Sequence, residues 1–253
     1  MSSIRLFTGW DEREAVGWHT FVQSVLDTAT APIQIQPITP TVAARYAVAA
    51  EGTNAFTRAR FLVPHLCGYE GWAIFVDGAD MLCRGDLAEL WAYRDFKPAS
   101  GQVKKDIWCV KHAYHSRFLQ KYEGTEMEAE NRHYDRKNWA SLFLIDCASP
   151  FARLWHPDLI ARRPLLELLQ LSGFHDDRIG ALPVEWNWLV GEQVYNAQAK
   201  IAHFTLGIPG FSRYRGSDYA EEWFAALHRS KRGLQGAEKH DGQAAEALGA
   251  RAH

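Results

Sequence analysis

The chain has 253 residues, 47% of them hydrophobic and 23% charged, enough to bury a substantial core and unlike a disordered or fibrous chain. A formal net charge of -2 provides no broad cationic field to capture nucleic acid or an anionic membrane. No apolar run reaches membrane-spanning length, and the segment Met1 to Glu14 turns acidic before any signal-like run develops, so a cytoplasmic location is expected.

In chain order, Ile4 to Phe7 reads as a strand ending at Thr8-Gly9, followed by an amphipathic helix from Ala15 to Leu26 and a second strand from Ile33 to Ile38. Phe56 to Leu66 has helical spacing. Trp72 to Val76 is a continuous apolar run, the pattern of a strand covered on both faces, and it ends in Asp77-Gly78-Ala79-Asp80. Leu87 to Tyr93 suits a short helix, Ile107 to Val110 a strand, and the charged stretch from His112 to Lys137 a surface loop. Ser141 to Asp146 is another strand, Pro164 opens a leucine-rich helix, and Ile201 to Thr205 is the last strand before Gly207-Ile208-Pro209-Gly210. The reading is one α/β domain over residues 1–228 and a flexible tail over 229–253. Cys67, Cys83, Cys109 and Cys147 form no CxxC pair, so reduced, mostly buried thiols are expected.

The sharpest chemical feature is Asp77-Gly78-Ala79-Asp80: two carboxylates leave a buried strand with a glycine between them. Oxygen donors of this kind suit Mn2+ or Mg2+, which complete their shells with substrate phosphate and water. The alternative is that Asp80 caps the following turn and Asp77 pairs with a basic side chain. His203, at the end of an apolar run, is either a nitrogen ligand or a hydrogen-bonded core residue. Arg60 could hold a diphosphate or brace an aspartate. Asp176 and Asp177 are candidates for sugar-ring chemistry or a helix cap, and Trp186-Asn187-Trp188 for a sugar platform or core.

In order and spacing, from about Ile4 to Phe211, these residues resemble glycosyltransferase family 8, the retaining family that includes glycogenin and lipopolysaccharide galactosyltransferases. Five segments carry the resemblance: Thr8-Gly9-Trp10-Asp11, Arg60 to Pro64, Asp77 to Asp80 with Gly85-Asp86-Leu87, Trp186-Asn187-Trp188 and His203-Phe204-Thr205. The resemblance implies a GT-A fold, a nucleotide-diphospho-sugar transferase architecture with a mixed central sheet flanked by helices. It implies Asp77, Asp80 and His203 as ligands of Mn2+ (or Mg2+), and Thr8, Trp10, Asp11, Arg60, Gly78, Ala79 and Asn138 as the donor site for a UDP-sugar. Asp176 and Asp177 then take catalytic roles, and Trp186, Asn187, Trp188 and Gly207 face the sugar or the acceptor, a glycan or small molecule. The chain departs from the family pattern in three places. In Lys137-Asn138-Trp139-Ala140-Ser141, Trp139 falls where the family has Asn, and Asn138 is the substitute. Two residues instead of one separate the motif acids, and the usual lysine after the histidine is missing, leaving Arg213 or Arg215 for the phosphate contact.

A hexosyltransferase acting with retention is the resulting expectation. The competing readings are a non-catalytic or degenerate carbohydrate-binding protein and, from another class, a haloacid-dehalogenase-like phosphatase, which needs an acid where Ala79 stands.

Overall fold

The computed structural model describes residues 3–232. The strands are β1 (Ile4–Gly9), β2 (Ile33–Ile38), β3 (Trp72–Val76), β4 (Met81–Cys83), β5 (Ile107–Cys109), β6 (Gln120–Lys121), β7 (Ala129–Glu130), β8 (Leu142–Asp146), β9 (Ile179–Ala181), β10 (Trp188–Leu189) and β11 (Ile201–His203). The helices are α1 (Ala15–Thr28), α2 (Pro40–Arg45), α3 (Val63–Leu66), α4 (Leu87–Trp91), α5 (Pro157–Arg162), α6 (Leu165–Leu169) and α7 (Ala220–Ser230). The last helix runs two residues past the expected domain end at 228, and the rest of the expected tail, from 233 on, lies outside the described residues.

Six strands form the main sheet in the order β2-β1-β3-β8-β5-β9. All are parallel except β8, which runs against both β3 and β5. The period of two in a strand explains why both faces are apolar. Ala73, Phe75, Phe143 and Ile145 enter one buried cluster, and Ile74, Val76, Leu142 and Leu144 the other. A smaller sheet, β10-β11-β4, is appended where β3 ends, and α1 packs against both β4 and α7. Because β3, β5 and β9 are parallel, their C-terminal ends share one edge of the molecule, the usual ligand-binding edge of an open α/β sheet.

Two elements differ from expectation. The expected helix from Phe56 to Leu66 is a 3-10 turn (Ala59–Leu62) followed by the single turn α3. Pro64 has no N–H to continue the ladder, while Arg60 turns its Nε back onto the Thr57 carbonyl at 2.9 Å. The stretch from His112 to Lys137 is not simply a surface loop. Tyr122, Met127 and Lys137 are buried, because β6 and β7 pair and fold this segment over the edge where β3 ends. Of the four free cysteines, three are buried and Cys67 is half-buried, as expected. Among the described residues no helix is long and apolar enough to cross a membrane.

Candidate metal and donor site

The chain leaves β3 through a tight turn. Ala79 N–H donates to the Asp77 carbonyl at 2.8 Å around Gly78, whose φ is 74°, the conformation at the centre of a three-residue γ-turn. Met81 N–H then bonds the Gly78 carbonyl at 3.1 Å, and β4 begins. The extra residue between the acids is absorbed by this turn, so both carboxylates point the same way. The third member arrives by strand pairing. β11 lies antiparallel to β4 with His203 opposite Met81, and Phe204 N–H bonds the Asp80 carbonyl at 2.8 Å.

Asp77, Asp80 and His203 are all buried, and one potential ligand atom from each lies within 4.8 Å of the other two. His203 Nε2 is 3.3 Å from Asp80 Oδ2, and its Nδ1 is 2.8 Å from Asn187 Oδ1, so the imidazole is gripped from behind. Asn187 is itself fully buried and donates to Ser141 Oγ at 2.8 Å and to the Asn138 carbonyl at 3.3 Å. Arg60 Nη1 pairs with Asp77 Oδ1 at 2.7 Å and donates to the Ala140 carbonyl at 2.9 Å.

Burial pushes the Asp77 carboxyl up to about 7, against the pull of Arg60 and with the repulsion of Asp80. Burial pushes Asp80 the same way, but His203, Lys121 and the Tyr122 hydroxyl, 3.2 Å away, outweigh it and hold Asp80 below its usual range. Asp80 Oδ1 has no hydrogen-bond partner although it is buried. An orphaned carboxylate oxygen beside a second carboxylate and an imidazole is a donor set that fits Mn2+ or Mg2+.

The cluster forms the floor of a cavity of about 570 Å3. Arg60, Asn138 and the three cluster residues line it, together with Glu51 to Asn54, Lys121, Tyr122, Lys137 and Thr205. Asn138, at φ 64°, donates to the Tyr114 hydroxyl at 2.9 Å.

The other expected site residues stand elsewhere. Asp176 and Asp177 are exposed at the N-terminal end of β9, the opposite edge from Asp77. Asp176 pairs with Arg136, and Lys105 takes the Asp177 carbonyl. Trp186 is core, and Trp188 is half-buried and donates to the Val194 carbonyl. A 3-10 turn separates the two rings, so the extended platform expected from sequence does not form. Gly207 is required for packing, since a Cβ there would lie 2.3 Å from the Tyr214 ring. Gly78 and Ala79 supply the turn and do not line the cavity. Thr8 accepts from Trp18 Nε1, and Trp10 packs edge-on against Trp18 and His19. Asp11 accepts from Arg13 and from the Ala55 N–H, which ties down the lining loop 51–54. Arg213 pairs with Glu123 and Arg215 stacks on Phe224, so neither faces the cavity.

Sequence reasoning missed Glu14, Asn54, Lys121 and Tyr122. Glu14 is fully buried, receives Asn54 Nδ2 at 2.7 Å, and is raised well above the carboxylate range by burial and then by Asp80. Nothing in Asp11-Glu12-Arg13-Glu14 distinguishes its two buried acids, Asp11 and Glu14, from the exposed Glu12.

A GT-A glycosyltransferase fold with a buried Asp-Asp-His cluster where β3 ends is the class these features define. The likeness extends to WbbM, a bifunctional glycosyltransferase, with a TM-score of 0.62 and 14% identity over 89% of this chain, which spans 50% of that one. It extends also to the galactosyltransferase LgtC (TM-score 0.53, 14% identity, 89% of this chain and 96% of that one) and to mouse xyloside xylosyltransferase 1 (0.52, 12%, 82% and 100%). Identities this low establish the fold alone. No protein-family model matches the chain. It belongs to the family of Protein CDI from Arabidopsis thaliana, to which it is 31% identical over 231 residues, covering 87% of this chain and 84% of that protein.

Proposed function

We propose that this protein is a metal-dependent glycosyltransferase that moves a hexose, with retention, from a UDP-sugar to a glycan or small-molecule acceptor. The observation that carries the reading is the buried Asp77, Asp80 and His203 cluster, with its orphaned Asp80 oxygen, on the floor of a cavity large enough for a nucleotide. Those three side chains would hold Mn2+ or Mg2+, and the ion when bound would offset charge on the departing nucleoside diphosphate. Arg60 fixes the Asp77 carboxylate and Asn187 fixes the His203 ring, so the donor set is oriented in advance. A retaining transfer needs no protein base when the departing phosphate takes the acceptor's proton, which agrees with Asp176 and Asp177 lying outside the cavity.

The rival readings are weaker. A haloacid-dehalogenase-like phosphatase needs an acid where the buried Ala79 stands, and a different fold. A tryptophan-platform lectin needs exposed rings, but Trp155, Trp186 and Trp223 are among the largest fully buried side chains. The test is calorimetric titration of UDP in Mn2+ and then in EDTA. Metal-dependent binding that disappears in Asp80→Ala is expected, whereas metal-independent binding contradicts the assignment of the cluster.

A further inference from the structure

The cavity that holds the Asp-Asp-His cluster is also lined by four long cations, and three of them are already committed. Arg60 is paired with Asp77 and bonded to the Ala140 and Thr57 carbonyls. Arg132 pairs with Glu130. Lys137 Nζ donates to Asn131 Oδ1 at 2.5 Å and to the Arg132 carbonyl at 2.8 Å. Lys121 has no hydrogen-bond or ion-pair partner among the described residues, although it lies in the field of Asp80, Asp77 and Glu14.

Its position is built, not incidental. The backbone of Lys121 is held in β6, opposite Ala129 in β7, and the next two residues are pinned at three points. Tyr122 takes a φ of 56°, its N–H bonds the Leu206 carbonyl at 2.6 Å, and its hydroxyl reaches Asp80. Glu123 N–H bonds the Tyr214 hydroxyl at 2.8 Å. A non-glycine residue held at positive φ costs about 1–2 kcal/mol, and here the surrounding bonds enforce it.

Charge balance shows what the ammonium awaits. Burial lowers the affinity of Lys121 for its proton, and Asp80, Asp77 and Glu14 pull it back. A divalent ion at the cluster would offset the charges of Asp77 and Asp80, leaving Arg60 and Lys121 as unbalanced cations around one cavity. A metal ion and an ammonium can share a small buried space when an anion bridges them, and a diphosphate has the charge and the reach.

We propose that Lys121 is the phosphate anchor of this site, binding the donor's diphosphate jointly with the metal ion and filling the role that neither Arg213 nor Arg215 is placed to take. This rests on the nucleotide-sugar reading above. It assigns a function to the 112–137 segment: to bring a cation over the metal cluster from a part of the chain distant from both β3 and β11.

The test is titration calorimetry on the full chain, wild type, Lys121→Gln and Lys121→Arg, with UDP, uridine and inorganic pyrophosphate in Mn2+, after thermal unfolding has shown each variant folded. UDP and pyrophosphate are expected to bind Lys121→Gln about ten- to a hundredfold more weakly than wild type. Uridine should not discriminate, Lys121→Arg should keep part of the affinity, and Mn2+ alone should bind all three alike. Unchanged UDP affinity in Lys121→Gln overturns the assignment. So does tighter Mn2+ and UDP binding in that variant, which would make Lys121 an internal counterion of the aspartates. Wild type that binds pyrophosphate but not UDP sinks the nucleotide reading while leaving the anchor to be judged by Lys121→Gln. Wild type that binds neither overturns both.

Discussion

Asn187 carries no charge, yet the orientation of the His203 ring depends on it. Its amide oxygen holds Nδ1, which leaves Nε2 facing Asp80, and its amide nitrogen is tied to Ser141. Replacing it with alanine leaves a buried ring nitrogen and a hydroxyl short of a partner. Asn187→Ala should therefore cost about 1–3 kcal/mol in urea unfolding. The same variant should weaken Mn2+ binding by about ten- to a hundredfold by calorimetry, and unchanged metal affinity would show that the ring is held by packing alone. His112 is the other informative histidine. Burial lowers it to about 3, its Nε2 has no partner, and its bond to the Asn187 backbone acts weakly the other way. The unfolded chain, with an ordinary imidazole, binds the extra proton first as pH falls, so the stability contributed by neutral His112 is present above about 6.5 and is lost towards 3. Between pH 6.5 and 5 the wild type should lose up to about 2 kcal/mol relative to His112→Gln; parallel pH profiles for the two would contradict this.

At the scale of elements, the site is the meeting of one turn and one register. Gly78 at φ 74° makes the γ-turn that lets acids three positions apart converge, and a Cβ there would sit 3.2 Å from Thr8 Cβ. Gly78→Ala should destabilise by about 1–2 kcal/mol and weaken Mn2+ binding, whereas Gly216→Ala, with open space around it, should stay within about 0.5 kcal/mol. Equal effects of the two in urea titration and metal calorimetry would remove the turn from the account. The same turn explains how legible the chain was. β2 and β3 were readable because their own side chains record their surroundings: Ile33 to Ile38 alternates, and Trp72 to Val76 is apolar throughout. The approach of Asp77 to Asp80 was readable because both acids leave the end of one buried apolar strand within three positions. Asp176 and Asp177 misled because a short sequence does not say at which end of a strand it will stand, and they precede β9 where Asp77 follows β3. Lys121 and Tyr122 were illegible for a related reason: their placement over the cluster depends on the distant Leu206 and Tyr214, and locally they read as one more polar run.

For the molecule as a whole, a two-faced apolar sheet provides a rigid base, and the cavity sits at its C-terminal edge under a segment of irregular chain. The cluster gathers residues separated by more than a hundred positions, from β3 to β11, so an ion that binds it binds the folded state. Saturating Mn2+ should raise the unfolding midpoint of the wild type and not that of Asp80→Ala, with a gain of about 2.7 kcal/mol at a hundredfold excess over Kd. A common shift in both proteins would place the ion elsewhere.

Sugar transfer from a nucleotide is read most directly as UDP release from a panel of UDP-hexoses, with candidate acceptors, in Mn2+ and in EDTA. Release from at least one donor is expected to need the metal and to be abolished in Asp80→Asn. Metal-dependent binding of UDP with no turnover of any donor would contradict it, and would make this chain a binding protein on a transferase fold.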